Sequence, residues 1–175
     1  MSKRSWKSLV AAIGLLLLFS TISTTGVNAT EHSKAAKKVA QVYAFKGTTL
    51  TDIKFIGNEL AGKPTVIWFW APWCTICRAG APDIVALEKS FKGKVKVIGV
   101  AGLAPVADMK QFVADTKSSK ITHLADTDGA IWLHFKVPAQ PAFVFLNSKG
   151  VLTRQIGALS KSDLFKMTRQ LLKKS

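Results

Sequence analysis

The chain has 175 residues, 48% of them hydrophobic and 20% charged, which suits one folded domain and excludes a disordered chain. Lys and Arg number 25 against 10 Asp and Glu, a formal charge of +15, while two cysteines are too few for a disulfide-stapled miniprotein. Glycine (12) and proline (6) are at ordinary levels, and no internal repeat is visible, which excludes collagen and solenoids.

Lys3, Arg4 and Lys7 form a basic head, Leu9 to Phe19 an apolar run, and Val27-Asn28-Ala29 a small-x-Ala close. Together they predict a secretory signal peptide over 1–29, cleaved after Ala29. The apolar run falls short of the ~20 residues needed to span a bilayer, so a leader is preferred to a retained anchor. Residues 30–41 are charged and Ala-rich and read as a mobile lead-in, with the folded domain over 42–175.

Thr65 to Trp70 (TVIWFW) is a run of β-branched and aromatic residues, the pattern of a strand buried on both faces. Ala71-Pro72-Trp73 breaks it. From Cys74 onward Ile76, Ala79, Ile84, Leu87 and Phe91 recur at mostly helical spacing up to Gly93, with a kink expected at Pro82. Val95 to Val100 reads as a second buried strand. Val106, Met109, Phe112 and Val113 fall on one helical face, and Phe143–Leu146 and Val151–Gln155 read as strands around a Ser-Lys-Gly turn. Ser160, with Asp163 three residues on, caps a last helix through Leu172.

Cysteines outside the cytosol usually end in disulfides, yet Cys74 and Cys77 have no third partner. So small a ring adds little entropic stability, which argues against a structural staple. A structural zinc site needs four ligands, and His32, His123 and His134 lie at no tight ligand spacing. The position of Cys74 at a helix N-terminus favours a thiolate, because unpaired backbone N–H groups gather there. Such placements lower a cysteine pKa from about 8.5 to between about 3.5 and 7.5. Cys74 is therefore the attacking group, and Cys77, on the buried side one turn in, the resolving one.

Trp70-Ala71-Pro72-Trp73-Cys74-Thr75-Ile76-Cys77-Arg78 after a buried strand resembles the active site of the thioredoxin superfamily. Val137-Pro138-Ala139-Gln140-Pro141 followed by Ala142 to Leu146 resembles that superfamily's cis-proline loop and strand. Similarity extends from about Val42 to Leu172 and is greatest to the extracytoplasmic TlpA/ResA/DsbE-like branch. Asp126-Thr127-Asp128-Gly129-Ala130-Ile131-Trp132 looks most like the secreted actinobacterial DsbE-like proteins. The resemblance implies an α/β thioredoxin fold, a central mixed β-sheet flanked by helices with extra N-terminal strands, in the order β-α-β-α-β-β-α. It implies a cis peptide before Pro141, with Gln140 facing the reactive sulfur, and a loop that pairs with client backbone.

Two departures bear on mechanism. Trp68 stands where thioredoxin carries a buried acid, and Gly80 where cytochrome c maturation reductases carry Glu. Both acids assist proton transfer in those relatives. Thr75 offers a hydroxyl and an N–H to hold the Cys74 thiolate, which favours an oxidant over a reductant. Trp73 reads as an exposed platform for apolar client side chains, Trp68, Phe69 and Trp132 as core, and Arg78 as a solvated helix residue or an aid to the thiolate. His123 and His134 read as surface or satisfied helix residues.

The expected activity is thiol–disulfide exchange that forms or isomerises disulfides in exported proteins. The alternatives are an extracytoplasmic reductase, for example in cytochrome c maturation, and a non-enzymatic copper or zinc carrier. Expected partners are unfolded or partly oxidised exported proteins and a membrane or secreted redox partner, with no cofactor and no metal. The basic residues form no dense stripe, which argues against nucleic acid and leaves weak contact with an anionic envelope surface.

Overall fold

The computed structural model describes residues 28–173; residues 1–27 of the expected leader lie outside them. Seven strands form one mixed sheet in the order β2-β1-β5-β4-β3-β6-β7. In chain order these are β1 (Lys46–Thr49), β2 (Lys54–Ile56), β3 (Thr65–Trp70), β4 (Lys96–Gly102), β5 (Thr122–Asp126), β6 (Ala142–Leu146) and β7 (Leu152–Ile156). The helices are α1 (Asn28–Val42), α2 (Thr75–Phe91), α3 (Val106–Asp115), α4 (Ala130–His134) and α5 (Lys161–Lys173). β3 pairs parallel with β4 and antiparallel with β6, so it is an interior strand, and all six of its residues are buried.

Side chains along β3 alternate between two cores, as the pleat requires. Val66, Trp68 and Trp70 face α2, α3 and α5, packing with Phe112, Ile84 and Leu164. Ile67 and Phe69 face the other side, with Phe135 and Trp132 around α4 and Tyr43 beyond α1. Helices thus cover both faces, which is why the parallel strands carry no polar stripe.

Three expectations need correction. β5 escaped the sequence reading, although it pairs with both β1 and β4. Its THLAD sequence hides the strand because His123 and Asp126 sit at buried positions; His123 is satisfied by Trp70, 53 residues away, and Asp126 by the N–H groups at the start of α4, which follows β5. Residues 30–41, expected to be a mobile lead-in, belong to α1, whose Val39 and Val42 rest on the second core. Ala and Lys are strong helix formers, and the apolar pair supplies the docking contact. Gly150 is shaped to receive α1: its φ of +75° suits the β6–β7 turn, and a Cβ there would come within 2.7 Å of Val39. Finally, α2 is one helix from Thr75 to Phe91 rather than a first turn and a separate second part: Pro82 lies inside it, without the N–H that would meet the Arg78 carbonyl, and the chain is helical on both sides.

Candidate active site

α2 starts on a sulfur. Cys74 is its N-cap, with φ −78° and ψ 102°; its carbonyl accepts the Arg78 N–H at 3.0 Å, and its Sγ accepts the Cys77 N–H at 3.0 Å. A helix leaves its first N–H groups unpaired, and a side-chain acceptor at the cap normally takes one of them. Here that acceptor is the sulfur that also forms the disulfide with Cys77, with Cα atoms 5.2 Å apart. Cys77 is 1% exposed and Cys74 7%, so Cys74 is the more accessible of the two. Thr75, expected to hold the thiolate of the reduced pair, is not the donor to Sγ in the disulfide form. It is exposed, and the N–H that reaches Sγ is that of Cys77, because a capping side chain meets the N–H two or three residues into the helix.

The loop entering β6 lies beside the pair. The Gln140–Pro141 peptide bond is cis, Pro141 is buried and Gln140 half-buried. The Pro141 carbonyl accepts the Gly157 N–H at 2.8 Å, which ties the loop to the end of β7. Pro141, Trp68, Cys77, Gly80 and Asp83 line a cavity of about 20 Å³, room for about one water. Trp68 in its wall stacks on Trp70 and packs near Phe112. Asp83, at the partly exposed side, pairs with Lys161 at 3.7 Å. Sequence reasoning missed Asp83; its position six residues after Cys77 was the available signal.

Around the disulfide the surface is apolar. Trp73 and Ile76 are 59% and 57% exposed, as is Leu103 at 55%. The Trp73 indole N–H donates to the Leu103 carbonyl at 3.0 Å, and Leu103 adopts a left-handed φ of 59°. A bulky residue there costs free energy, so the β4–α3 loop holds its carbonyl toward Trp73 under strain. No sequence pattern announces a leucine in that conformation. Arg78 is neither free in solvent nor on the sulfur. It pairs with Asp115 at 3.0 Å and lies 4.8 Å over the Phe112 ring, stitching α2 to α3.

Two buried polar groups support the site from behind. His123 stands on β5, not on a surface or helix as expected. Its Nδ1 accepts the Trp70 indole N–H at 3.2 Å, and its Nε2 faces the Ser118 carbonyl at 3.1 Å. Burial pushes its pKa down to about 4, against the opposing pull of the Ser118 carbonyl. His134 ends α4, with Nε2 3.0 Å from the Val42 carbonyl. Asp126 is 2% exposed, and its carboxylate accepts the N–H groups of Ile131 at 3.0 Å and Trp132 at 2.8 Å, capping α4 just before the proline loop. Burial raises its pKa, opposed by those two hydrogen bonds. Among the described residues no three His, Cys, Asp or Glu converge on a metal-sized site.

Comparison with known proteins agrees with this geometry. Residues 26–155 match the AhpC/TSA family. The soluble secreted antigen MPT53 of Mycobacterium tuberculosis is 37% identical over 87% of this chain and 84% of its own length. MTB dsbF, solved in mixed oxidized and reduced forms, superposes with a TM-score of 0.73 at 38% identity, covering 75% of this chain and 97% of that one. A secreted Mycobacterium tuberculosis disulfide oxidoreductase homologous to E. coli DsbE gives 0.70 at 36% identity, covering 75% and 98%. The sheet and its helices are thus the thioredoxin fold, and the chain belongs to the AhpC/TSA family, in its secreted actinobacterial DsbE-like branch.

Proposed function

We propose that the protein is an extracytoplasmic thiol–disulfide oxidoreductase that forms or isomerises disulfides in exported proteins, with Cys74 as nucleophile and Cys77 as resolving residue. The observation that carries this reading is the Cys74 Sγ at the N-cap of α2, held by the Cys77 N–H beside the cis Gln140–Pro141 loop. A client thiolate attacks Cys74 Sγ; the 74–77 bond breaks, and Cys77 leaves as a thiolate that takes up a proton. A second client thiolate then attacks the client sulfur of the mixed disulfide and expels the Cys74 thiolate. The client gains one disulfide, the enzyme gains two electrons and two thiols, and a partner's disulfide restores it. Amide donation to Cys74 stabilises it as a leaving group, which biases the exchange toward client oxidation.

Trp73, Ile76 and Leu103 offer an apolar platform, and Gln140–Pro141 offers backbone groups to an extended client segment. The apolar character suits unfolded clients with exposed hydrophobic side chains. In the regenerating half of the cycle Cys77 must lose its proton before it attacks the mixed disulfide. The cavity leads that proton toward Asp83, the carboxylate on its wall. Equilibrating the Cys74–Cys77 pair with glutathione tests the direction. A value clearly more oxidising than thioredoxin's, about −270 mV, is expected, and a value that negative would overturn the oxidase reading.

A further inference from the structure

On the sheet face opposite α2, a groove of about 640 Å³ runs between α1, the end of α4 and β7. Lys34, Lys37 and Lys38 enter from α1 at i, i+3 and i+4, one face of the helix, while Lys136 and Arg154 close the far rim. Val42, Phe135 and Leu152 form the floor, and among the described residues no acidic one lines the groove. Five cations from three elements around an apolar floor are complementary to an anionic head carried on hydrocarbon. A second basic depression makes the contrast: Lys63, Lys94, Lys96 and Lys120 surround it, but Glu88 lies among them.

We propose that this groove docks the protein on a bilayer of anionic phospholipid, the rim cations meeting phosphate and the recessed floor receiving the apolar part of a lipid drawn up into the groove. Trp68, Trp70 and the cysteines pack on the other core, so docking turns the disulfide and Trp73 away from the lipid. A molecule held this way presents its reactive sulfur to chains leaving the membrane. The inference does not depend on the direction of exchange.

The test uses the exported protein purified from secreting cells with whatever N-terminus they leave on it. Its readout is the ratio of partitioning into phosphatidylglycerol-containing vesicles over phosphatidylcholine vesicles at low salt. An apolar N-terminal segment would bind both, whereas the groove contributes to the ratio alone. K34Q/K37Q/K38Q lowers the ratio by about two orders of magnitude, and K63Q/K94Q/K120Q, with the same charge loss, changes it less than about threefold. Equal losses from both variants would show that net charge alone drives binding, and a ratio near one in the unaltered protein would show no docking; either overturns the proposal. L152S should also weaken vesicle binding, with thermal unfolding monitored to confirm its fold. If soluble polyphosphate binds the groove as tightly as vesicles do and L152S changes neither, the occupant is a polymeric anion and the lipid proposal fails.

Discussion

The N-termini of α2 and α4 solve one physical problem with opposite chemistry. Each opens with backbone N–H groups that favour a negative acceptor. At α4 the acceptor is the Asp126 carboxylate, buried, taking two N–H groups at once. At α2 it is the Cys74 sulfur, taking one, with its disulfide partner three residues on. A carboxylate keeps its cap through every turnover, so the start of α4 stays fixed throughout the cycle. A sulfur trades partners and carries its charge only when reduced, so the same donors become a device for stabilising a leaving thiolate. A helix end is therefore structural or reactive according to whether its cap can form and break a covalent bond.

The largest effect separates the two roles of Cys74. C74S should abolish disulfide exchange in reduced-RNase refolding, while urea unfolding shows the domain no less stable than the unaltered protein in its reduced form, because serine is a good cap. C77S should instead accumulate mixed disulfides with clients; if C74S captures clients, the assigned roles are reversed.

Next in size is an acid response behind the α2 cap, where His123 accepts the Trp70 indole N–H. Its folded pKa, about 4, lies below the unfolded 6.5. Its contribution is therefore fully present above pH 6.5 and is lost as pH falls through about 4, about 3 kcal/mol in all. H123Q should flatten the decline in urea midpoints across that window. Asp126 acts in the other sense. Its raised folded pKa means a contribution present at low pH and lost as pH rises through that value, so D126N should steepen the acid decline. A pH profile unchanged in both variants would disprove these assignments.

Smaller again, D126A removes two hydrogen bonds to a buried carboxylate and should lower stability by about 2 kcal/mol. The equilibrium of the 74–77 pair with glutathione should stay put if α4 is a support only; a shifted equilibrium would show that the two caps are coupled.

What the sequence disclosed follows from locality. β3 was legible because six consecutive β-branched and aromatic residues admit one reading, and Ser160 because its hydroxyl and Asp163 answer each other within one turn. The cysteine pair was legible for the same reason, its spacing being one helical turn. β5 was not, because the partners that satisfy His123 and Asp126 come from β3 and α4. Arg78 looked solvated until Asp115, on another helix, appeared beside it. Leu103 owes its conformation to the loop it sits in and to the Trp73 contact, neither of which a residue type encodes.

The smallest expected effect tests whether the α2 site has kept any proton acceptor. Trp68 and Gly80 bring no acid to Cys77, and Asp83 is the carboxylate that shares the cavity with it. Cys77 lies 1% exposed, so its proton has no direct route to bulk water. In a single turnover with a small disulfide followed by tryptophan fluorescence, D83N should slow ring closure by Cys77 about tenfold near pH 7. The rate of Cys74 alkylation should not change, because that sulfur has its own donor. A Cβ at Gly80 would meet nothing within 4 Å, so G80E can supply a carboxylate one turn nearer and should restore closure in the D83N background. Closure by D83N at the unaltered rate from about pH 5 to 8 would mean that the proton leaves by another path and that the cavity is only a packing defect behind the disulfide.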